Sequence, residues 1–169
     1  MGELDGWRFC PLCGEAIERV EDRAECHSCG YVGYANPAPA AEAVCFDENG
    51  RILLGRRAVD PGAGLWDLPG GFLHEDEHPL AALRREVAEE TSLELEEPEF
   101  LGFWQEPYDG RIVLCLSYIA SVTGDGHADD DLVELRWFDP EELPAADELA
   151  FSHYPEVLSA ALARRNEHA

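Results

Sequence analysis

The sequence contains no lysine and a single methionine, and its twelve basic residues are all arginine. Against these stand 36 acidic residues, giving a formal net charge of −24 at pH 7. A chain so short of positive charge repels polyphosphate backbones, which argues against broad nucleic-acid binding, and it attracts multivalent cations instead. The excess suits a protein that folds in concentrated salt as well as one that is merely acidic; unfolding at low salt would separate the two. There is no apolar run of about 18 residues or more, so nothing in the sequence reads as a membrane span. The opening segment, Met1 to Arg8, is polar and acidic and does not look like a secretory signal, so the cytoplasm is the expected location. Without such a signal, six cysteines do not read as a disulfide framework.

What is present is enough for one domain of ordinary size with a small appendage: 169 residues, of which 46% are apolar. Residues 1–36 are rich in Cys, Gly and polar side chains and carry too little apolar content to fold unaided. After a connector at Asn36 to Ala40, residues 37–169 read as a second domain. Ala43 to Phe46, the turn Asp47 to Gly50, and Arg51 to Leu54 predict a hairpin. Leu65 to Leu68 is a short strand ended by Pro69-Gly70-Gly71. A helix is expected from His78 to Thr91, with Pro79 in its first turn and Leu80, Leu83 and Val87 as its apolar face. Strands follow at Phe100 to Gln105, Ile112 to Val122 and Glu134 to Phe138. A short helix is expected from Asp139 to Leu143 and a terminal one from Pro155 to Arg165. The class is mixed α/β.

Four cysteines form two matched pairs, Cys10/Cys13 and Cys26/Cys29, each followed by glycine and separated by twelve residues. Each pair places two thiolates on one tight turn, and two such turns complete a tetrahedron around zinc. Four thiolates leave no open coordination position, so a zinc ion here is structural. His27, between two ligands, is read as a bystander. Cys45 and Cys115 lie in apolar strand-like runs and read as small buried hydrophobes.

The segment Gly71 to Leu93 carries the chemistry. Glu86, Glu89 and Glu90 are spaced i, i+3, i+4, so at about 100° per residue they share one helix face beside the apolar stripe. Three crowded carboxylates repel one another, and a hard divalent cation relieves that repulsion. Such an ion offsets phosphate charge and polarises a water, as phosphoryl chemistry requires. The plainer alternative is a solvated acidic helix face. The wider pattern, however, resembles the Nudix box: Gly71, Glu77, Arg85, Glu86, Val87, Glu89, Glu90 and Leu93 fit its register, and Leu65 to Gly71 and Arg136 to Phe138 are similar to its flanks. Ser92 stands where that family has glycine. If the helix ends there in a left-handed conformation, serine costs about 1 kcal/mol.

The resemblance implies a Nudix α/β/α sandwich with a mixed sheet, preceded by the small zinc ribbon. It implies Mg²⁺ (or Mn²⁺) held by Glu86, Glu89 and Glu90 with help from the Gly71 carbonyl. It also implies an Arg85–Glu77 pair holding loop against helix, with Arg85 counted among the catalytic set. For the general base it leaves open Glu86 and the downstream acids Asp129, Asp130, Asp131 and Glu134. The ribbon's ending, Cys29 to Pro37, resembles those of NADH pyrophosphatases and of short zinc-ribbon Nudix proteins associated with ADP-ribose or FAD. Phe103 to Asp109 is only an echo of the motif that NADH enzymes carry after the box, and their larger N-terminal domain has no counterpart. The expected substrate is therefore a small nucleotide, ADP-ribose or a related dinucleotide, contacted by Arg56 and Arg57 at phosphate and by Trp104 and Tyr108 through stacking. NADH cleavage and a non-catalytic nucleotide-sensing module are the alternatives. A homodimer is expected from the resemblance alone.

Overall fold

In the computed structural model, residues 3–168 are described. Two compact units divide them, one running up to Ala38 with Pro107–Val113 added, the other made of Pro39–Glu106 and the chain from Leu114 onward. The first unit holds β1 (Glu18–Val20), β2 (Arg23–Glu25) and β3 (Val32–Tyr34), an antiparallel sheet in that order. Its buried apolar side chains, among the described residues, are few: Leu4, Ala24 and Val113 beside Cys10 and Cys26. A core that small calls for a staple.

The second unit is built on a seven-stranded sheet. Its strands are β4 (Ala38–Phe46), β5 (Ile52–Arg57), β6 (Trp66–Asp67), β7 (Gly70–Phe72), β8 (Glu94–Tyr108), β9 (Arg111–Thr123) and β10 (Leu132–Phe138). The path runs β10-β5-β4-β9-β8, with β6 beside β5 and β7 beside β4. The expected hairpin is β4–β5. Its turn is closed by Asp47, whose carboxylate accepts from the Asn49 and Arg51 amides at 2.9 and 2.8 Å.

Period-two alternation sorts the strands between two cores. Val44, Phe46, Ile52 and Leu54 face one core, completed by Trp66, Leu68 and the C-terminal helix α2 (Tyr154–His168). Ala41, Ala43, Cys45 and Leu53 face the other, completed by α1 (Pro79–Thr91) through Leu83 and Val87. Burying each of those two side chains contributes about 1.5–3 kcal/mol. The result is the expected α/β/α sandwich, a helix on each side of a sheet. Among the described residues, no helix is long and apolar enough to cross a membrane.

Several boundaries differ from expectation. β8 starts at Glu94 rather than Phe100, because Leu93 and Leu95 are buried while Glu94, Glu96 and Glu97 are exposed. That is the alternation of a strand at the sheet edge, masked by its acidity. Gly70 and Gly71, read only as ending the preceding strand, open strand β7 against β4. The expected helix after Asp139 is a single 3-10 turn, Pro140–Glu142.

Candidate active site

α1 starts where the sequence directs. His78 is its N-cap, and its Nδ1 accepts from the Leu80 amide at 3.2 Å; Pro79 occupies the first turn. The helix stops at Ser92, which sits at φ 56°, ψ 18°, so the left-handed geometry expected at the departing position is present. The Ser92 amide still reaches the Ala88 carbonyl at 3.0 Å. The downstream acidic loop covers this helix end. The His127 amide donates to the Thr91 carbonyl and the Asp129 amide to that of Glu90, while Ser92 Oγ and His127 Nε2 lie 3.1 Å apart.

The three glutamates share a face but differ in burial. Glu89 is exposed, Glu86 is half-buried and Glu90 is buried, at 5% relative exposure. The Gly70 amide donates to Glu90 Oε2 at 2.9 Å. Burial pushes the Glu90 carboxyl up to about 9 against the opposing pull of that amide, and the charges of Asp67, Glu86 and Asp131 add to the rise. A divalent cation among these oxygens would offset the cost of their buried charge and their mutual repulsion, so the donor set fits a hard metal. Gly71 adjoins the cluster closely: a Cβ there would lie 2.5–2.7 Å from the Glu86 carboxyl. At Gly70, with φ 152°, a Cβ would lie 2.3 Å from the Ala41 carbonyl oxygen, so this strand can sit against β4 only as glycine.

Arg85 ties loop to helix. Its Nε and one terminal nitrogen donate to the two Glu77 oxygens at 2.9 and 2.8 Å. The other terminal nitrogen reaches Glu86 at 2.7 Å and Glu89 at 3.2 Å. The bidentate pairing holds the Glu77 carboxyl down at about 2, with the His74 amide assisting. Arg85 itself is raised, first by Glu77.

The four paired cysteines converge within the first unit, their sulfurs within 4.8 Å of one another. The Cys10–Cys29 and Cys13–Cys26 sulfurs are each 3.6 Å apart. That spacing is far beyond the ~2.05 Å of a disulfide. It is close to the edge, about 3.8 Å, of a tetrahedron with zinc–sulfur bonds near 2.3 Å. Gly14 and Gly30 take φ 77° and 76°, so the glycine after each pair performs the turn expected of it. His27 instead faces Glu18, at 2.9 Å.

The expected substrate contacts are dispersed. Arg57 is buried and paired with the Asp67 carboxylate, and its Nε donates to the Pro61 carbonyl at 2.8 Å. Arg56 stacks over the Trp66 ring at 4.6 Å and pairs with Glu134 at 3.1 Å. Trp104 packs on the α2-side core and donates from Nε1 to Glu156 at 3.2 Å. Tyr108 belongs to the first unit.

Sequence reasoning missed a buried polar layer: Asp67 accepting from Tyr154 and Arg57, and His153 between Glu42 and Glu106. Glu42 stands alone among alanines and Tyr154 opens a helix, so neither forms a spaced motif.

Residues 36–159 match the family described as the NUDIX domain. An ADP-ribose pyrophosphatase of Methanocaldococcus jannaschii is 33% identical over 123 residues, covering 71% of this chain and 70% of that protein. An NAD-capped RNA hydrolase, NudC, of Vibrio atlanticus is 26% identical over 141 residues, and the matched part is 81% of this chain and 51% of the relative. Among solved structures, a NUDIX hydrolase from Nitrosomonas europaea superposes with a TM-score of 0.72 at 25% identity, covering 89% of this chain and 91% of that one.

Proposed function

Because this chain belongs to the Nudix family, we propose that it is a pyrophosphohydrolase that cuts the diphosphate linkage of a small nucleotide, ADP-ribose or a related dinucleotide such as FAD, and releases AMP. The observation that carries this reading is the crowding of Glu86 and Glu90 against Gly70 and Gly71 of β7, with Glu90 pushed up to about 9 by burial and by the charges of Asp67, Glu86 and Asp131. Glu86, Glu89 and Glu90, with the Gly71 carbonyl, would hold Mg²⁺ or Mn²⁺. When bound, the ion offsets phosphate charge and polarises the attacking water. Arg85 keeps Glu86 and Glu89 oriented while anchored on Glu77. Asp131 is the downstream acid whose charge acts on Glu90, which favours it over Glu134, already paired with Arg56, as the base that takes the water's proton. With Arg57 committed to Asp67, phosphate contact falls to Arg56. The four-cysteine cluster would hold a structural zinc that staples the first unit.

The test is a panel of ADP-ribose, FAD, NADH, diadenosine polyphosphates and nucleoside triphosphates with Mg²⁺, products quantified, and Glu89→Gln alongside. Fast AMP release from one diphosphate, reduced on the order of 10²-fold or more in the variant, is the expected outcome. NADH as the preferred substrate would favour the reading suggested by the NudC relative. No turnover of any compound by folded protein would overturn the enzyme in favour of a nucleotide-sensing module.

A further inference from the structure

Cys115 is buried as expected, but its neighbours are polar. On β9, Cys115, Ser117 and Ile119 point toward the α2-side core, the side that Glu42 faces from β4. Helix α2 delivers His153 just before its first turn, and β8 delivers Glu106. Ligand atoms of Glu42, Cys115 and His153 all lie within 4.8 Å of one another, and all three residues are buried. The glutamates that would hold Mg²⁺ are carried by α1, on the opposite face of the sheet.

The imidazole is held in a fixed orientation. Its Nδ1 is 3.0 Å from Glu106 Oε2, and that oxygen also accepts from Ser152 Oγ at 2.8 Å and from the His153 amide at 3.3 Å. Its Nε2 is thereby aimed at Glu42, at 3.0 and 3.2 Å from the two carboxylate oxygens. A carboxylate holding the far nitrogen of a histidine is the usual outer support of a metal-ligating imidazole. The near nitrogen faces an oxygen and a sulfur donor, a set suited to a borderline cation such as zinc rather than to Mg²⁺. The nitrogen–oxygen separation is close to the edge, about 3.3 Å, of a tetrahedron with bonds of about 2.0–2.1 Å.

We propose that Glu42, Cys115 and Nε2 of His153 form a second, buried zinc site, with Glu106 holding the Nδ1–H from outside. Zinc held there would take the place of the protons on the Cys115 thiol and on the imidazole nitrogen facing Glu42, which leave to solvent. A buried ion pair of this kind adds little stability as such.

The experiment is zinc quantification by mass spectrometry on the full chain, dialysed against excess Mg²⁺ so that the α1 carboxylates hold the hard ion. Wild type should carry one zinc equivalent more than either Cys115→Ala or His153→Gln. Cys26→Ser should lose a different equivalent, and the double variant with Cys115→Ala should lose both. Equal zinc in wild type and Cys115→Ala would overturn the site. Should the core variants not fold, zinc-edge X-ray absorption of the wild type decides. A mean shell mixing sulfur with nitrogen and oxygen supports the proposal, and a shell of sulfur alone overturns it.

Discussion

Ser92 offers a test of local energetics next to the site, because a left-handed serine is under strain and its release can be sized. At φ 56° its Cβ crowds the backbone, which costs about 1–2 kcal/mol. Ser92→Gly removes that cost. It also removes the exposed contact between Ser92 Oγ and His127, worth about 0.5 kcal/mol. The freer unfolded chain takes back about another 0.5 kcal/mol. The net gain is up to about 1 kcal/mol, or about 2–4 °C in Tm for a chain of this size. Ser92→Ala isolates the backbone contribution, since it loses the same hydroxyl but keeps the strain. Glycine should therefore exceed alanine by about 1 kcal/mol in urea unfolding. Neither change touches an oxygen proposed to hold the metal, so activity per folded molecule should hold. An alanine variant as stable as the glycine variant would refute the reasoning, because the strain at the helix end would then be absent.

Three further outcomes are expected. In metal-free protein the raised Glu90 carboxyl contributes stability below its ordinary 4.5 that is lost as pH rises toward about 9; the gain in Tm on adding Mg²⁺ should therefore grow across that window, as read by differential scanning fluorimetry. The lowered Glu77 carboxyl works in the opposite sense: its pairing with Arg85 stabilises above about 4.5 and fades as pH falls toward about 2, and acid titration of Arg85→Ala should lack that part of the transition. Gly70→Ala should lose about 1–3 kcal/mol or more, because the new Cβ meets Ala41 and Glu42 backbone, whereas the nearest atoms to a Cβ at Gly71 are those of the flexible Glu86 carboxyl end, so Gly71→Ala should keep its Tm while losing Mg²⁺ affinity and turnover.

Much of the second unit was legible because its signals are local. The box states its helix through Pro79, Leu83 and Val87, and the Asp47 turn closes the β4–β5 hairpin with its own carboxylate. The cysteine pairs were legible because two tight turns of fixed spacing bring four sulfurs together. What escaped was set by tertiary pairing. β7 exists because Gly70 can press against Ala41, a fact of two distant segments. Arg57 reads as an available cation in the sequence, but Asp67 lies ten residues along on a neighbouring strand and takes it into the core. His153 meets Glu42 across 111 residues and Glu106 across 47, separations that no window of sequence contains.

These long-range contacts explain how so acidic a chain keeps its buried carboxylates in place. Glu42, Asp67, Glu90 and Glu106 are all buried, and each has a specific donor: His153, Arg57 with Tyr154, the Gly70 amide, and Ser152 with His153. Glu90 differs from the other three. Its donor is one neutral amide, while Asp67, Glu86 and Asp131 press negative charge upon it, and Arg85 turns to Glu77, Glu86 and Glu89 instead. The cost of ionising one buried carboxyl is thus concentrated beside β7, where the Gly70 amide meets Glu90 and Gly71 adjoins Glu86. A buried carboxylate left in that state takes up either a proton or a cation. With its carboxyl up to about 9, Glu90 at neutral pH holds a proton until a cation displaces it. The Mg²⁺ concentration that gives half-maximal hydrolysis should therefore be higher at low pH than at high pH, since each ion bound must first displace that proton.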